Sequence, residues 1–366
     1  MTRVCLGDVA NERKENCKTN EYNDHIVGLE HLIPQEVTLT QWAENIENTF
    51  TKVFHKGDVL FGRRRAYLKK AAVAPFDGIC SGDITVIEAK PNKIVPELLP
   101  FIIQNDNLFD YAVEKSAGSL SPRVKWSHLQ NYEFELPDLN KQRELVELLW
   151  AAEETKQTYK KLIDKSKGLI QAKFINIFKN TPKCKLCEIT SIKMGQSPDS
   201  STYNKDKKGL PFYQGKAEFG YKYIEAPTLW CSTPTRTAEA DDILLSVRAP
   251  VGDVNLSTEK CCIGRGLAAI HPIKNISEAL FLYYALSAIK SEIENAGVGS
   301  TFKAITKDQV HSILIPKANI DLQKEFIKFA IQQEQTLESL QKSKINIDLI
   351  TKSIINQNLT KEVSHV

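Results

Sequence analysis

The chain contains one pattern twice, about half its length apart. Pro137 precedes Gln142, which opens the stretch QRELVELLW, and Pro316 precedes Gln323, which opens QKEFIKFAI. The two glutamines lie 181 positions apart (142 to 323) in a chain of 366 residues. A period this long indicates a duplicated domain rather than a solenoid. Any fold for this chain must therefore accommodate two copies of one module.

The repeat extends well beyond these two stretches. Residues 56–64, KGDVLFGRR, match residues 240–248, ADDILLSVR. Short runs of β-branched and aromatic residues between Gly, Pro and Asp turns predict that both modules are rich in β-strands. The copies differ most at 12–53 and 197–236, which predicts a common scaffold that carries two different binding surfaces.

Each glutamine opens a long segment with apolar residues at helical spacing, such as Leu340, Ile347 and Ile354, which lie seven apart. These segments predict two long helices. Either each helix packs on its own module, or the two pack antiparallel against each other, and we favour the second arrangement. About 37 residues at about 1.5 Å each give a length of roughly 55 Å, close to one and a half turns of duplex DNA.

The composition permits a nucleic-acid partner without requiring one. The net charge is +3, so DNA binding would need Lys and Arg to cluster on one face. The first sixteen residues have no apolar run typical of a signal peptide, and no apolar stretch has the length of a membrane span. Eight cysteines fit a reducing cytosol. Cys184 and Cys187 form a CxxC without a second pair, which favours ordinary buried thiols over a metal site.

Taken together, the repeated elements are a Gly-Ser pair (118–119 and 299–300), a basic strand, a proline and Gln-Arg/Lys-Glu at the start of a long helix. This doubled arrangement resembles the DNA-specificity subunits of type I restriction-modification systems over essentially the whole chain. The resemblance implies an α+β fold with two β-rich target-recognition domains in tandem, each followed by a long helix. The two helices would form an antiparallel coiled coil, with pseudo-twofold symmetry. The predicted segments are 1–136 (first target-recognition domain), 137–180 (first spacer helix), 181–315 (second target-recognition domain) and 316–366 (second spacer helix and C-terminal tail).

The resemblance also implies a function. Each domain would read one half of a bipartite target in double-stranded DNA, and the helices would set the spacing and dock two methyltransferase (modification) subunits. The assembly can add two restriction (translocase-nuclease) subunits. The chain itself would be a non-catalytic, cytoplasmic, prokaryotic protein without membrane contact, cofactor or metal. The predicted partner-binding residues on the helices are Gln142, Leu145, Tyr159, Gln323, Phe326 and Leu340.

Candidate DNA contacts follow from residue type, since Lys and Arg bind phosphates while polar and aromatic side chains can read bases. The densest basic patch is 63–65, and Arg248 matches Arg64 in the other copy; a solvated strand end is the alternative. Basic and aromatic residues alternate at 205–223, which fits a DNA-reading loop, although the aromatic residues there could equally be core. The predicted DNA-binding residues are Arg63, Arg64, Arg65, Lys69, Arg123, Lys125, Tyr213, Lys216, Tyr221, Lys222, Arg248, Arg265 and Lys303.

Two other classes of function compete with recognition. Asp83, Glu88 and Lys90 match the acidic-acidic-lysine pattern of metal-dependent nucleases. The second copy has Arg265 and Ile270 in the matching region and no carboxylate pair, which disfavours a duplicated enzyme. The other class is a coiled-coil scaffold that does not bind DNA. We favour a DNA-recognition subunit over both.

Overall fold

The fold is known from a computed structural model, which forms two compact units. Unit 1 comprises residues 1–161 and 341–366, and unit 2 comprises residues 162–340. Each unit therefore contains one module and parts of both long helices. The Gly-Ser pair at 299–300 lies outside the described residues. The structure describes residues 2–17, 24–297 and 303–359.

Unit 1 is a mixed module of short helices and short strands. Within its described residues, the strands form sheets in the orders β1-β9, β2-β8-β5-β6 and β3-β7-β4. The first helix that continues out of the module is α5, whose residues up to 161 belong to unit 1. The elements are β1 (Thr2–Cys5), α1 (Leu6–Val9), β2 (Ala10–Glu12), β3 (Ile26–Val27), β4 (Lys52–Phe54), β5 (Val59–Gly62), β6 (Ala71–Val73), β7 (Gly78–Cys80), β8 (Ile84–Ala89), α2 (Leu99–Ile103), α3 (Asp106–Glu114), α4 (Trp126–Leu129), β9 (Glu133–Leu136) and α5 (Leu139–Phe178).

Unit 2 follows the same plan. Its described strands form sheets in the orders β10-β20, β11-β19-β16-β17 and β12-β14-β13-β18-β15. The last helix, α10, belongs to unit 2 up to residue 340. The elements are β10 (Lys183–Lys185), α6 (Leu186–Ile189), β11 (Thr190–Met194), β12 (Tyr203–Asn204), β13 (Leu210–Tyr213), β14 (Leu229–Cys231), β15 (Thr237–Ala238), β16 (Ile243–Ser246), β17 (Val254–Leu256), β18 (Cys261–Ile263), β19 (Leu267–Pro272), α7 (Ala279–Ala288), α8 (Lys290–Ala296), α9 (Lys307–His311), β20 (Leu314–Pro316) and α10 (Ile320–Leu359).

The two units share one topology, which confirms the predicted duplication and the α+β class. β8 lies between β2 and β5 in unit 1, as β19 lies between β11 and β16 in unit 2. The parallel pair β3-β7 corresponds to the parallel pair β13-β18. The units differ in the sheet that contains these parallel pairs: β12 and β14 extend it in unit 2, and no described strand of unit 1 matches them. Those two strands come from the divergent region 197–236.

Two central strands of the four-stranded sheets, β5 and β16, contain continuous apolar runs at 59–61 and 243–245, because both of their faces are covered. In β5, Val59 and Phe61 enter one hydrophobic cluster, while Leu60 enters a second cluster on the opposite face. β16 divides its residues between two clusters in the same way. Successive side chains of a strand point to opposite faces, so a continuous apolar run fits only a strand buried on both sides.

The long helices pack antiparallel within each unit, and each also packs on its module. In unit 1, Leu145 and Leu149 of α5 share a core with Ile355 and Leu359 of α10. Farther along α5, Lys156 lies 3.8 Å from Asp348, so later residues of α5 meet earlier residues of α10. In unit 2, the rings of Phe174 and Phe178, near the end of α5, lie 5.2 and 5.8 Å from Phe326, near the start of α10. The predicted pairing of the helices is thus confirmed.

The repeated glutamine anchors the start of each long helix to its module. Gln142 is 1% exposed; its side chain accepts a hydrogen bond from the Val95 N–H (2.9 Å) and donates one to the Pro137 carbonyl (2.8 Å). Gln323 is 0% exposed and accepts from the Glu278 N–H (3.0 Å). Burial leaves neither side chain a surface for another protein. The prediction that these two glutamines contact a partner is therefore not supported, and their role is structural.

We expect the Gln323→Leu variant to lose stability, because leucine fills a similar volume but leaves the Glu278 N–H without its partner. A buried group that loses its hydrogen bond costs about 1–3 kcal/mol, and we expect the free energy of unfolding to fall by about 2 kcal/mol. Urea unfolding of the full chain measures this loss. The control is Gln335→Leu on the exposed side of α10, which should change stability by less than about 0.5 kcal/mol. Equal losses in the two variants would contradict the anchoring role.

Candidate nucleic-acid interface

The turn between β5 and β6 presents the basic patch predicted from the sequence. Residues 66–68 form one turn of 3₁₀ helix, flanked by Arg65 and Lys69 in the left-handed region at φ 55° and 51°. Left-handed backbone is uncommon for residues other than glycine. The Arg65 N–H donates to the Pro122 carbonyl at 2.8 Å, which fixes this end of the turn. Arg65 is exposed, and the Tyr67 ring beside it is 53% exposed.

Two of the predicted arginines, far apart in sequence, meet at one carboxylate. Arg123 donates from Nε to Asp83 Oδ1 at 2.7 Å and from Nη2 to Oδ2 at 3.3 Å. Arg64 approaches the same Oδ2 at 3.4 Å and donates from Nε to Ser121 Oγ at 2.7 Å. The hydrogen bond from Arg123, and then that from Arg64, hold the pKa of Asp83 below its ordinary value. Asp83 thus orients both guanidinium groups and offsets part of their charge.

The other candidates in unit 1 have different surroundings. Arg63 is half-buried, and its Nε has no hydrogen-bond partner among the described residues. Lys69 donates to Asp106 at 2.7 Å, and this bond raises the pKa of Lys69. Lys125 is exposed at the start of α4. Of these three, Lys125 is the most accessible.

The matching position in unit 2 has an exposed arginine. Arg248 follows β16 and pairs with Ala304 in an isolated bridge, as Arg64 pairs with Arg123 in unit 1. Gly266 stands where the repeat places Asp83, so the neutralising carboxylate is missing. Arg248 and Arg265 are exposed and form no ion pair with any described residue. Lys303 is half-buried. The two modules therefore present the same arginine with different net charge around it.

The basic-aromatic loop of unit 2 is mostly occupied by internal contacts. Tyr213 is 1% exposed, and its hydroxyl donates to the Glu225 carbonyl at 3.1 Å. Its proposed DNA contact is therefore not supported, because the ring belongs to the core. Lys222 is 9% exposed and pairs with Glu334, while Lys216 pairs with Asp253. Of the four predicted residues in this loop, Tyr221 is the one with a largely free side chain, at 63% exposure.

The predicted partner-binding residues are mainly core residues as well. Leu145 is 3% and Phe326 is 0% exposed, whereas Tyr159 and Leu340 are half-buried. Other apolar side chains of the same helices face solvent, and they are not among the partner-binding residues predicted from the sequence. The sequence did contain a signal for these exposed residues. Leu162 and Leu169 are seven residues apart, and each directly precedes a buried isoleucine, Ile163 or Ile170, so they form a second apolar row beside the buried one. The exposed apolar residues are Leu139, Leu148, Leu162, Leu169 and Ile175 on α5, and Ile331, Ile345, Leu349 and Ile350 on α10.

The nuclease candidates do not converge on one site. Asp83 is engaged by two arginines, and Glu88 pairs with Arg13 at 2.7 Å. Lys90 donates to the Gly7 carbonyl at 2.5 Å. Within the part of the chain that the structure describes, no group of three or more His, Cys, Asp and Glu side chains could hold a metal ion. No helix in that part is long and apolar enough to cross a bilayer.

The duplicated fold, with matched arginines Arg64 and Arg248 on the two scaffolds and two paired long helices, is the architecture of a DNA-specificity protein. The family model of the type I restriction modification DNA specificity domain matches the chain twice, at residues 1–167 and 179–351. The chain therefore belongs to the family of type I restriction-modification specificity subunits. Members of this family are not themselves catalytic.

Individual relatives agree with this assignment. The chain is 34% identical over 336 residues to the type I restriction enzyme MjaX specificity subunit of Methanocaldococcus jannaschii, covering 84% of this chain and 78% of that protein. A solved chain from a study of complex assembly and conformational transition of the type I R-M system is 29% identical, with a TM-score of 0.66, over 98% of this chain and 97% of that one. The S subunit from M. genitalium is 15% identical, with a TM-score of 0.59 over 99% and 96% of the two chains, and shows the fold alone.

The ion pairs that Asp83 forms with Arg64 and Arg123 make the free energy of unfolding depend on pH in a defined direction. The pKa of Asp83 is lowered in the folded chain, so the pairs stabilise the fold above the unfolded pKa of about 3.9. That contribution is lost as the pH falls through the lowered folded pKa. We expect Asp83→Asn to be less stable than the natural chain at pH 7. The difference between their free energies of unfolding should narrow toward pH 3. Chemical unfolding at several pH values measures this difference. The control is Glu147→Gln, at an exposed position of α5, which should be as stable as the natural chain at each pH. A stability difference for Asp83→Asn that does not depend on pH would contradict the ion pairs.

Proposed function

We propose that this subunit reads a bipartite sequence in double-stranded DNA, one half with each module. The observation that carries the proposal is one scaffold present twice with different inserts. The four-stranded sheets have the same strand order, whereas the described strands of the sheets that contain the parallel pairs number three in unit 1 and five in unit 2. A common frame with different loops is suited to two different half-sites. The partners would act in a prokaryotic cytoplasm.

The basic residues of the scaffold are best suited to phosphates. Arg64 and Arg248 occupy the same place in two modules that must read different bases, so they are suited to the sequence-independent backbone. Exposed Arg65, Lys125 and Arg265 would add to this contact, together with Arg123. Base recognition would then belong to the divergent inserts. Tyr221 there is 63% exposed, with Lys167 Nζ 5.8 Å from its ring centroid, and its open side can contact bases or sugars.

The helices would set the number of base pairs between the half-sites. α5 and α10 each have 40 residues, a length of about 60 Å at about 1.5 Å per residue. We retain 137–180 and 316–366 as the spacer segments, and 1–136 and 181–315 as the two target-recognition segments. The chain would supply recognition, while the transfer of a methyl group to adenine would belong to a partner.

The exposed apolar residues of the helices support a docking role. In unit 1, Ile345 and Leu349 lie one turn apart on α10 and are 56% and 61% exposed; in unit 2, Leu162 and Leu169 on α5 are 45% and 47% exposed. Apolar side chains that recur on one side of a helix suit a partner interface. Two such surfaces match two methyltransferase subunits, to which two restriction subunits can be added.

An exchange of modules tests the bipartite proposal. Residues 1–116 are replaced by the matching region of a relative with a known target, and the chimera is combined with the methyltransferase subunits. Because each module would read its own half-site, we expect only one half of the methylated sequence to change, with the gap and the other half preserved. Sequencing of methylated adenines gives the result.

The matched control is the complementary chimera, which exchanges the second module and should change only the other half. A change of both halves by either chimera would contradict the assignment of one half-site to each module.

The docking surface can be tested by a double variant, Leu162→Gln with Leu169→Gln. Polar side chains at these positions remove apolar contacts without disturbing the core, and we expect the affinity for the methyltransferase subunit to fall by about tenfold or more. Titration calorimetry measures the affinity. Ala172→Gln, at an exposed position of the same helix, is the control. Unchanged affinity in the double variant would remove this surface from the proposal.

A further inference from the structure

A buried carboxylate occupies the same position on both long helices. Glu153 follows Gln142 by eleven residues on α5, and Glu334 follows Gln323 by eleven residues on α10. Their side chains are only 5% and 15% exposed. A carboxylate removed from water is costly unless it is paired and hydrogen-bonded. The partners of Glu153 and Glu334 therefore indicate the role of this position on each helix.

In unit 2, both oxygens of Glu334 have a partner. Lys222 donates to Oε2, and the Tyr284 hydroxyl donates to Oε1. Lys222 is only 10% exposed in its side chain, and it belongs to the divergent insert of the second module. A spacer helix is thus joined to the insert by an ion pair that is largely shielded from solvent.

The same part of the insert is held at two further points. Asn255 donates to the Gly220 carbonyl at 3.0 Å, and the Tyr283 hydroxyl donates to the Tyr221 carbonyl at 3.1 Å. The Tyr221 ring remains 63% exposed. With its backbone fixed on both sides and Lys222 anchored, the insert presents Tyr221 in a defined orientation.

In unit 1, the helix holds an insert with the opposite distribution of charge. Gln157 of α5 donates to Glu153 at 2.8 Å and to Glu36 of the insert at 2.7 Å. Lys160 donates to the other oxygen of Glu36 at 3.0 Å. Burial opposes ionisation of Glu36, but the hydrogen bonds from Gln157 and Lys160 leave its pKa below the ordinary value. Lys156 pairs with Glu153 at 2.7 Å.

The backbone of the insert takes part as well. Lys156 also donates to the carbonyl of Gln35, at 3.1 Å, and Gln104 donates to the carbonyl of Glu36, at 2.9 Å. The first insert therefore contributes an acid to bases on its helix, whereas the second contributes a base to an acid on its helix. In α10 the positions that match Lys156 and Lys160 are Leu337 and Gln341, which offer no cation.

We propose that this helix-to-insert ion pairing, which we call the insert clamp, positions each DNA-reading insert on its own spacer helix. The insert clamp comprises Glu36, Glu153, Lys156, Gln157 and Lys160 in unit 1, and Lys222, Tyr284 and Glu334 in unit 2. Glu36 and Glu334 are then positioning residues for sequence specificity, which they affect without touching DNA. The opposite polarity makes each insert fit its own helix and not the other. The inference rests on the proposed function, because it assigns a role within half-site recognition.

The first measurement addresses the clamp without DNA. Glu334→Gln keeps the shape of the side chain but removes the charge that holds Lys222. In hydrogen-deuterium exchange of the full chain, we expect residues 219–224 to exchange at least tenfold faster, while β19 stays unchanged. Glu338→Gln, on the same helix at an exposed position, is the matched control. Unchanged exchange at 219–224 would overturn the clamp.

The second measurement uses the complex with its methyltransferase subunits. Affinity is measured for the target duplex and for duplexes with one base pair changed in either half. A correct contact discriminates by about 1–3 kcal/mol, or about 5- to 150-fold, so a mispositioned insert should lose most of this discrimination and retain about threefold or less. We expect Glu334→Gln and Lys222→Met to lose it at the second half-site and to retain it at the first. Glu36→Gln should do the reverse.

Rescue separates the charge pairing from a general loss of folding. The double variant Lys222→Glu with Glu334→Lys restores an ion pair of opposite polarity, and we expect discrimination to return to within about threefold of the natural chain. Discrimination that stays unchanged in Glu334→Gln, or that falls equally in both halves, would overturn the positioning role. If the natural complex does not discriminate at either half, the proposed function fails and the positioning role with it, whereas the exchange experiment still reports on the clamp.

Discussion

The structure depends on the pairing of two long helices, since the core of each module includes residues from both of them. In unit 1, Leu145 and Leu149 pack against Ile355 and Leu359, which come from the far end of the chain. A helix with one apolar side is stable only when that side is covered. The antiparallel partner covers it, and the buried Gln142 fixes where the helix leaves the module. The inserts contact these helices through Glu36 in unit 1 and Lys222 in unit 2.

Because the two modules share one strand topology, charged side chains at matched positions can be compared directly. Asp83 offsets Arg64 and Arg123 in the first module, while Gly266 stands at the matching position in the second, where Arg248 forms no ion pair with a described residue. The inserts differ in the same sense, because one brings an acid to its helix and the other brings a base. Two modules with one topology can therefore differ in the net charge around the matched arginine and in how their inserts are held on the helices. Differences of this kind support the proposal that the two modules read unlike half-sites.

Much of the architecture was predictable because it depends on patterns that are local or repeated. The apolar stretches at 56–64 and 240–248 predicted strands that became β5 and β16, and the repeated glutamine predicted both helix starts. Side-chain environment was harder to predict. Tyr213 was predicted to contact DNA and is a core residue, and Phe326 was predicted to contact a partner and is fully buried. Residue type and spacing suggest what a side chain can do, but not which neighbours surround it.

The sequence by itself determined the duplication, the order of module and helix, and the resemblance to the specificity subunits, because these follow from composition, period and motif. Only the tertiary structure decided which polar groups are free and which are engaged. Arg123 meets Asp83, and Lys222 meets Glu334 across 112 positions. Such pairs form where distant segments pack together, and burial then decides whether a charge faces solvent or a partner. The repeated glutamine is an example. The sequence shows that Gln142 recurs as Gln323, but only the fold shows that both side chains are buried and anchor the start of a helix to its module.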